Sequence, residues 1–496
     1  MRVTSKMMTS NALNNINRNK TNMSTLANQY STQQKIQRPS ENPVIAVRSL
    51  KYRTSVAELD QYAKKNVPDA MSWISNTETA LNSVNSILTN MNTYFNQGSN
   101  DTLETSERVA LKQTLSEYRD QIFQCLNSDY AGRYLFTGYR TDTSLIFDKE
   151  SKDTMYNITE TFKDTDLQIF TYIKADLKYS DTAAANDYAS NAASSNKGYK
   201  LNLAYNEIGI AQDNDGNDIM PVLSYQTAEG AAPQNIPVKV VSVADKDAYD
   251  VGTNQAVLIK ETGEIILSKD SYSKLNEAYS FQVNYSKQNF DKGDVRPEHY
   301  FDCTATDAQG NVYQYTKPAN QHIEYEVNFS QNIVVNTLAN ECVDFKIINQ
   351  LDDIIYQIEK VETAENKLAE IETMLVNGTY AGDKDALTEL KSQVKNELAL
   401  EKSVLQERFG NGITTTTKVQ ATVNKAVADL GSRYKRLELT EARLEDQLTS
   451  FNEMLTTNDT VDIEDAIVNY TAALTAYNAS LNATAKIAQN SLLDFL

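Results

Sequence analysis

Two histidines, His299 and His322, and three cysteines, Cys125, Cys303 and Cys342, are all that 496 residues offer for imidazole or thiol chemistry. His299, Cys303 and His322 form the only set a metal could use, but their spacing matches no common zinc site and both histidines lie in strand-like surface sequence. The acidic run Asp213-Asn214-Asp215-Gly216-Asn217-Asp218 has its glycine at the fourth position and lacks a distal Glu, so it reads as an ordinary turn instead of a calcium loop. No Gly-rich phosphate loop with a following Lys, no G-x-S-x-G turn and no H-E-x-x-H pair occurs. Scattered cysteines cannot build a disulfide framework, and Cys125, on an apolar helical stripe, reads as a buried free thiol. Catalysis, a metal and a cofactor are therefore not expected; the work must be done by surfaces.

Those surfaces sit on long helices. Val67, Ala70, Ile74, Thr77, Leu81, Val84, Leu88, Met91 and Phe95 alternate spacings of three and four, which predicts one long amphipathic helix. Pro68 should kink or break it unless the helix begins there, and Gly98 marks its stop. A second helix carries Leu111, Leu115, Tyr118, Ile122 and Cys125 on one face. From about 148 to 340 the pattern changes to alternation, in runs such as Leu167–Ile173, Ala256–Lys260, Ile265–Ser268, Ser280–Tyr285 and His322–Phe329, with turns at Thr262-Gly263 and Gly310-Asn311. Helical spacing returns with Ile347, Leu351, Ile354, Ile358 and Val361. It continues through Leu387, Leu390, Val394 and Leu398 to a predicted stop at Gly410-Asn411-Gly412, then from Val423 to Phe451. A final helix starts after Asn458 or Asp459 with Asp462, Glu464 and Asp465 in its first turn, where the helix dipole favours negative charge. Its seam runs Ile463, Ile467, Tyr470, Leu474, Tyr477, Leu481, Thr484, Ala488, Ser491 and Phe495.

The first thirty residues differ. Met8, Ala12, Leu13, Ile16, Met23, Leu26, Ala27 and Tyr30 form a thin stripe among many asparagines, which are poor helix formers, so this arm needs a partner to order it. The expected fold is mainly α with a β-rich insertion. Both chain ends build a long antiparallel helical bundle, and the β part is pushed outward. The expected division is terminal arms 1–65 and 456–496, a bundle layer 66–147 and 341–455, and a β-rich region 148–340.

A net charge of −19 argues against nucleic acid as partner. Residues 1–65 nevertheless hold eleven basic against three acidic side chains, a net of +8, while 456–496 hold five acidic and one basic, a net of −4. Opposite signs suit pairing between the two ends. Mean hydropathy is −0.51, no apolar run is long enough for a bilayer helix, and the polar start lacks the apolar core of a secretory signal. Membrane insertion is not expected.

Five short stretches then carry a resemblance. They are Met1-Arg2-Val3-Thr4-Ser5-Lys6-Met7-Met8, Ser31–Pro43 with its Arg38-Pro39-Ser40, Gly132-Arg133-Tyr134-Leu135-Phe136-Thr137-Gly138-Tyr139, Leu430-Gly431-Ser432-Arg433, and Ser491-Leu492-Leu493-Asp494-Phe495-Leu496. In that order they resemble the flagellin and hook-associated protein superfamily, most closely its hook-associated protein 3 branch. Gln34 stands where the family's usual Gly falls, and Glu41 and Asn42 replace its two Asp. The resemblance implies an inner axial coiled coil made by the arms, and a ring of self-associating subunits between hook-associated protein 1 and the flagellin filament. It also implies export through the flagellar type III channel with a chaperone on the last helix. Flagellin itself is the alternative. The seams nominate Met8, Leu13, Ile16, Met23, Leu26, Tyr30, Ile467, Tyr470, Leu474, Tyr477, Leu481, Leu492, Leu493, Phe495 and Leu496 as the assembly interface.

Overall fold

Long helices open and close the chain and strands fill its middle, as the change in periodicity requires. The computed structural model describes residues 5–100, 103–174, 177–180, 188, 193–212, 218–245, 248–376 and 383–493. They fall into two units, one of residues 1–71, 325–333 and 435–496, the other of 72–324 and 334–434.

In the first unit, helix α1 spans Ser5–Thr32 and ends at Gln33, whose positive φ of 58° turns the chain. Helix α2, Pro43–Gln61, starts as its sequence dictates: the Asn42 carbonyl side chain accepts from the amides of Val44 and Ile45, and Pro43 occupies the first turn where no N–H is missed. Pro68 does not break the helix that follows. A five-residue π turn, Tyr62–Asn66, closes with the Val67 amide bonded to the Tyr62 carbonyl, and α3, Val67–Gly98, continues from it. Widening the turn just before the proline accommodates a ring and a missing donor that regular α geometry could not. A hairpin of β16 (Glu324–Asn328) and β17 (Gln331–Val334) lies against that turn. Tyr62 donates to the Glu326 carboxylate at 3.0 Å, the Asn66 amide to the Glu326 carbonyl at 2.8 Å, and Phe329 meets Tyr62 edge-on.

The second unit holds the rest of α3, α4 (Thr105–Leu126), α6 (Lys346–Val376) and the first part of α7 (Lys384–Asp459). Its predicted seams are buried: Leu81, Val84, Leu88, Met91 and Phe95 from α3, Leu351 and Ile354 from α6, Leu390 and Val394 from α7. Helix α7 does not stop at Gly410-Asn411-Gly412; it runs unbroken for 76 residues. A Cβ on Gly412 would meet Ile354 at 3.0 Å and Phe95 at 3.1 Å, and one on Gly98 would meet the Phe409 ring at 2.5 Å. Gly412 marks where helices touch, and that contact outweighs its helix-breaking tendency, whereas α3 does stop at Gly98 as expected. Cys125 is half-buried; Cys303 and Cys342 are buried, and all three are free thiols.

Two sheets complete this unit. The larger is antiparallel in the order β15 (Val312–Tyr315), β14 (Asp302–Thr306), β3 (Met155–Phe162), β13 (Ser280–Lys287), β8 (Val222–Gln226), β9 (Gln234–Ile236). The smaller runs β10 (Val238–Val241), β11 (Ala256–Ile259), β12 (Glu264–Leu267), β5 (Ser194–Asn202), β4 (Gln168–Lys174). The expected glycine turns are present, with φ of 69° at Gly263 between β11 and β12 and 81° at Gly310 between β14 and β15. A buried ion cluster ties the smaller sheet to the helices: Lys200 Nζ lies 2.6 Å from both Glu264 and Asp353, and Arg408 lies 3.0 Å from Asp353. Burial would raise the Asp353 carboxyl, but the charges of Lys200 and Arg408 outweigh it and hold it below the usual range.

Candidate assembly surface

Helix α8, Ile463–Leu493, follows a short break after α7. Asp462 caps it, accepting from the Glu464 amide at 2.8 Å, with Glu464 and Asp465 in the first turn. The helix runs back antiparallel along α1. At the base of the pair the two chain ends are stitched by backbone: the Lys35 amide donates to the Asp459 carbonyl at 2.8 Å and the Val461 amide to the Gln33 carbonyl at 2.9 Å. Arg53 and Ser49 of α2 both donate to the Asp459 carboxylate at 2.8 Å. Burial works to raise that carboxyl; the bonds from Arg53, Ser49 and Asn458 win and hold it below its ordinary value.

Burial along the pair has coiled-coil spacing. On α1 half-buried Thr9, Ala12, Ile16, Asn19, Met23 and Leu26 alternate spacings of three and four, with Ala27 and Gln29 half-buried beside them, and Tyr30 in the same phase stacks on Tyr470 with centroids 6.0 Å apart. On α8 Ala466 and Ala473 are buried, and Tyr470, Leu474, Tyr477, Ser480 and Thr484 are half-buried. Of the residues nominated from sequence, Ile16, Met23, Leu26, Tyr470, Leu474 and Tyr477 are half-buried, while Met8, Leu13, Tyr30, Ile467 and Leu481 are exposed. The side chains of Leu492 and Leu493, and all of Phe495 and Leu496, lie outside the described residues. Helix α8 thus carries one stripe against α1 and a second, open one. Sequence reading missed a further exposed stripe on α2, with Val44, Val47 and Leu50 at its head; the alternation of three and four through Val47, Leu50, Thr54, Ala57 and Gln61 was the available signal.

The groups with chemical potential lie elsewhere. His299 is buried with Nε2 3.1 Å from the Ser144 carbonyl, and burial pushes its pKa down to about 4, so it is neutral at pH 7. Burial pushes the Cys303 thiol up to about 12, which removes its thiolate reactivity. His322 is exposed, and among the described residues no group of three His, Cys, Asp or Glu side chains could hold a metal ion. The turn at 213–217 lies outside the described residues. No described helix is long and apolar enough to cross a membrane.

Comparison with known proteins concentrates on these same ends. The bacterial flagellin N-terminal helical region matches residues 3–141 and the bacterial flagellin C-terminal helical region matches 413–496. Both ends match bacterial flagellin regions, and part of the chain is homologous to flagellar hook-associated protein 3. A flagellin of Clostridium tyrobutyricum is 34% identical over 128 residues, 26% of this chain and 34% of that protein. Flagellar hook-associated protein 3 of Salmonella typhimurium is 28% identical over 145 residues, 29% of this chain and 45% of that protein. The chain therefore spans a third to a half of the length of these relatives. A solved hook-associated protein 3 from Legionella pneumophila aligns with 82% of this chain and 97% of its own at 11% identity and a TM-score of 0.33, too loose a superposition to carry an argument. The flagellin motif at 132–139 has a physical role in this chain: its two-stranded hairpin turns on positive φ at Ala131 and Gly132, Arg133 lies 4.9 Å over the Trp73 ring, and Leu135 and Phe136 are buried.

Proposed function

We propose that this chain is a structural, non-enzymatic subunit of the bacterial flagellar axis, forming a ring at the hook–filament junction between hook-associated protein 1 and flagellin. The observation that supports it most is the pairing of the two flagellin-like ends as antiparallel helices whose seams stay half open and whose outer faces stay apolar. Such a pair is short of partners, and further copies of the chain supply them. The arms 1–65 and 456–496 would form the inner coiled coil, the helices of 66–147 and 341–455 the next layer, and 148–340 the outward part. The nominated seam residues, from Met8 to Tyr30 and Ile467 to Leu496, would be buried between subunits. Passage through the flagellar type III channel, with a chaperone on α8, suits arms held this loosely.

The test is a deletion strain. Loss of this chain should leave flagellin secreted into the medium with no filaments retained, and the full chain should restore them. A flagellin reading has its own support in the 34% identity to the Clostridium protein. It predicts instead that the purified chain grows into long filaments by itself, where a junction subunit stops at short rings.

A further inference from the structure

The first unit leaves two contiguous apolar stripes open among its described residues. On α2, Val44, Val47 and Leu50 are 60%, 52% and 65% exposed. On α8, Ile467 and Val468 are 44% and 66% exposed, and Ala472, Ala476 and Ala479 extend the stripe as a shallow trough. Their borders carry opposite charge. Exposed Arg48 and Lys51 flank the α2 stripe; exposed Asp462, Glu464 and Asp465 sit at the head of the α8 stripe.

We infer that the α2 stripe of one copy docks into the α8 trough of the next copy. The inference rests on the self-association proposed above and names the surfaces that would make it. Charge selects the pairing: α2 against α2 would bring basic borders together and α8 against α8 acidic ones, and both juxtapositions repel. Only α2 against α8 joins opposite signs, as Arg53 and Asp459 already do within one chain. Shape agrees, because Leu50 and Val47 are knobs and the alanines of α8 leave the hollow for them. Two different patches that fit each other make a head-to-tail contact, the kind that closes into rings or propagates along an axis. A self-complementary patch would stop at a dimer.

The experiment uses the full chain with Cys125→Ser, which removes the half-buried thiol and leaves the two buried ones. Leu50→Cys and Ala476→Cys are made separately, each is checked for unchanged helix content, and assembly is followed by light scattering and electron microscopy before a short bismaleimide is added. The expected result is covalent dimers in the mixture of the two variants and none in either variant alone. Cross-linking of Leu50→Cys alone or Ala476→Cys alone would overturn the inference, as would assemblies that form without any mixed cross-link. A chain that stays monomeric throughout would bring down the self-association reading itself.

Discussion

The bundle and the arms are written in the same heptads and end differently. In the bundle, Leu81, Leu88, Phe95, Leu351 and Leu390 are wholly buried, each seam covered by helices of its own chain. In the arms the same spacing leaves Leu13 52% exposed, Ile467 44% exposed and Leu26 half-buried. Periodicity therefore reports that a helix has a seam, and says nothing of whether the partner is in the same molecule. The bundle is finished on folding; the arms are not, and in the proposed assembly other copies would finish them.

Three substitutions in the second unit should show how finished it is. Lys200→Met leaves Glu264 and Asp353 buried with one cation between them, and losing one partner of a buried cluster costs about 3–5 kcal/mol. Urea unfolding at pH 7 should show that loss in the transition of sheet and bundle, with α1 and α8 unaffected. A transition shifted by under about 1 kcal/mol would mean that water reaches the cluster. Leu88→Ala, in a fully packed site, should cost about 2–5 kcal/mol by the same measurement.

Glu160 gives a pH-dependent contrast. Burial raises its carboxyl from 4.5 to about 7, against the bonds it accepts from Tyr285 and the Ala204 amide. A folded pKa above the unfolded one means that the native state holds the proton more tightly. Its contribution is thus fully present below pH 4.5 and is lost as pH rises through 7, by up to about 3 kcal/mol. Glu160→Gln should flatten this part of the profile, so that wild-type minus variant stability falls between pH 5 and 8. A constant difference across that range would refute the assignment.

How far the sequence could be read follows the same line. Helix, strand, helix order is local, and alternation at Ser280–Tyr285 or heptads at Val67–Phe95 display it directly. The ion cluster is not local: Lys200 and Asp353 are 153 residues apart and neither is marked by its neighbours. Gly410-Asn411-Gly412 misleads because Gly in a helix signals a stop by propensity and a close contact by packing, and only the position of Phe95 and Ile354 decides. Pro68 is readable as a disturbance, but not the contact made beside it, where Tyr62 and Asn66 of the π turn bond to Glu326 of a hairpin some 260 residues away. On α8 the heptad through Ile467 and Leu474 shows one seam where the helix carries two stripes, since Ala466 and Ala473, small and inconspicuous, are buried while Ile467 is exposed.

The smallest effect expected in the monomer is the one that separates the two regions best. Leu26 is the arm's counterpart of Leu88, on the α1 stripe toward α8 but only half covered. Ile16, Met23 and Leu26 on α1, at about half the 1.5–3 kcal/mol of a full burial, with smaller amounts from Ala12 and Ala27, supply roughly 4 kcal/mol. Seven asparagines in the same helix, at up to roughly 0.7 kcal/mol each, take about as much away. The pair is left near balance, so Leu26→Ala should change global unfolding of the monomer by less than about 1 kcal/mol. Amides from Met8 to Tyr30 should exchange with deuterium close to the rate of an open chain, while those around Leu88 and Leu351 exchange only by global unfolding. In assembled material the contrast should vanish: the arm becomes protected, and Leu26→Ala now weakens assembly because the stripe is covered on both sides. Strong protection of Met8–Tyr30 in dilute monomer would show that α8 alone completes α1, and the distinction between a finished bundle and unfinished arms would have to be given up.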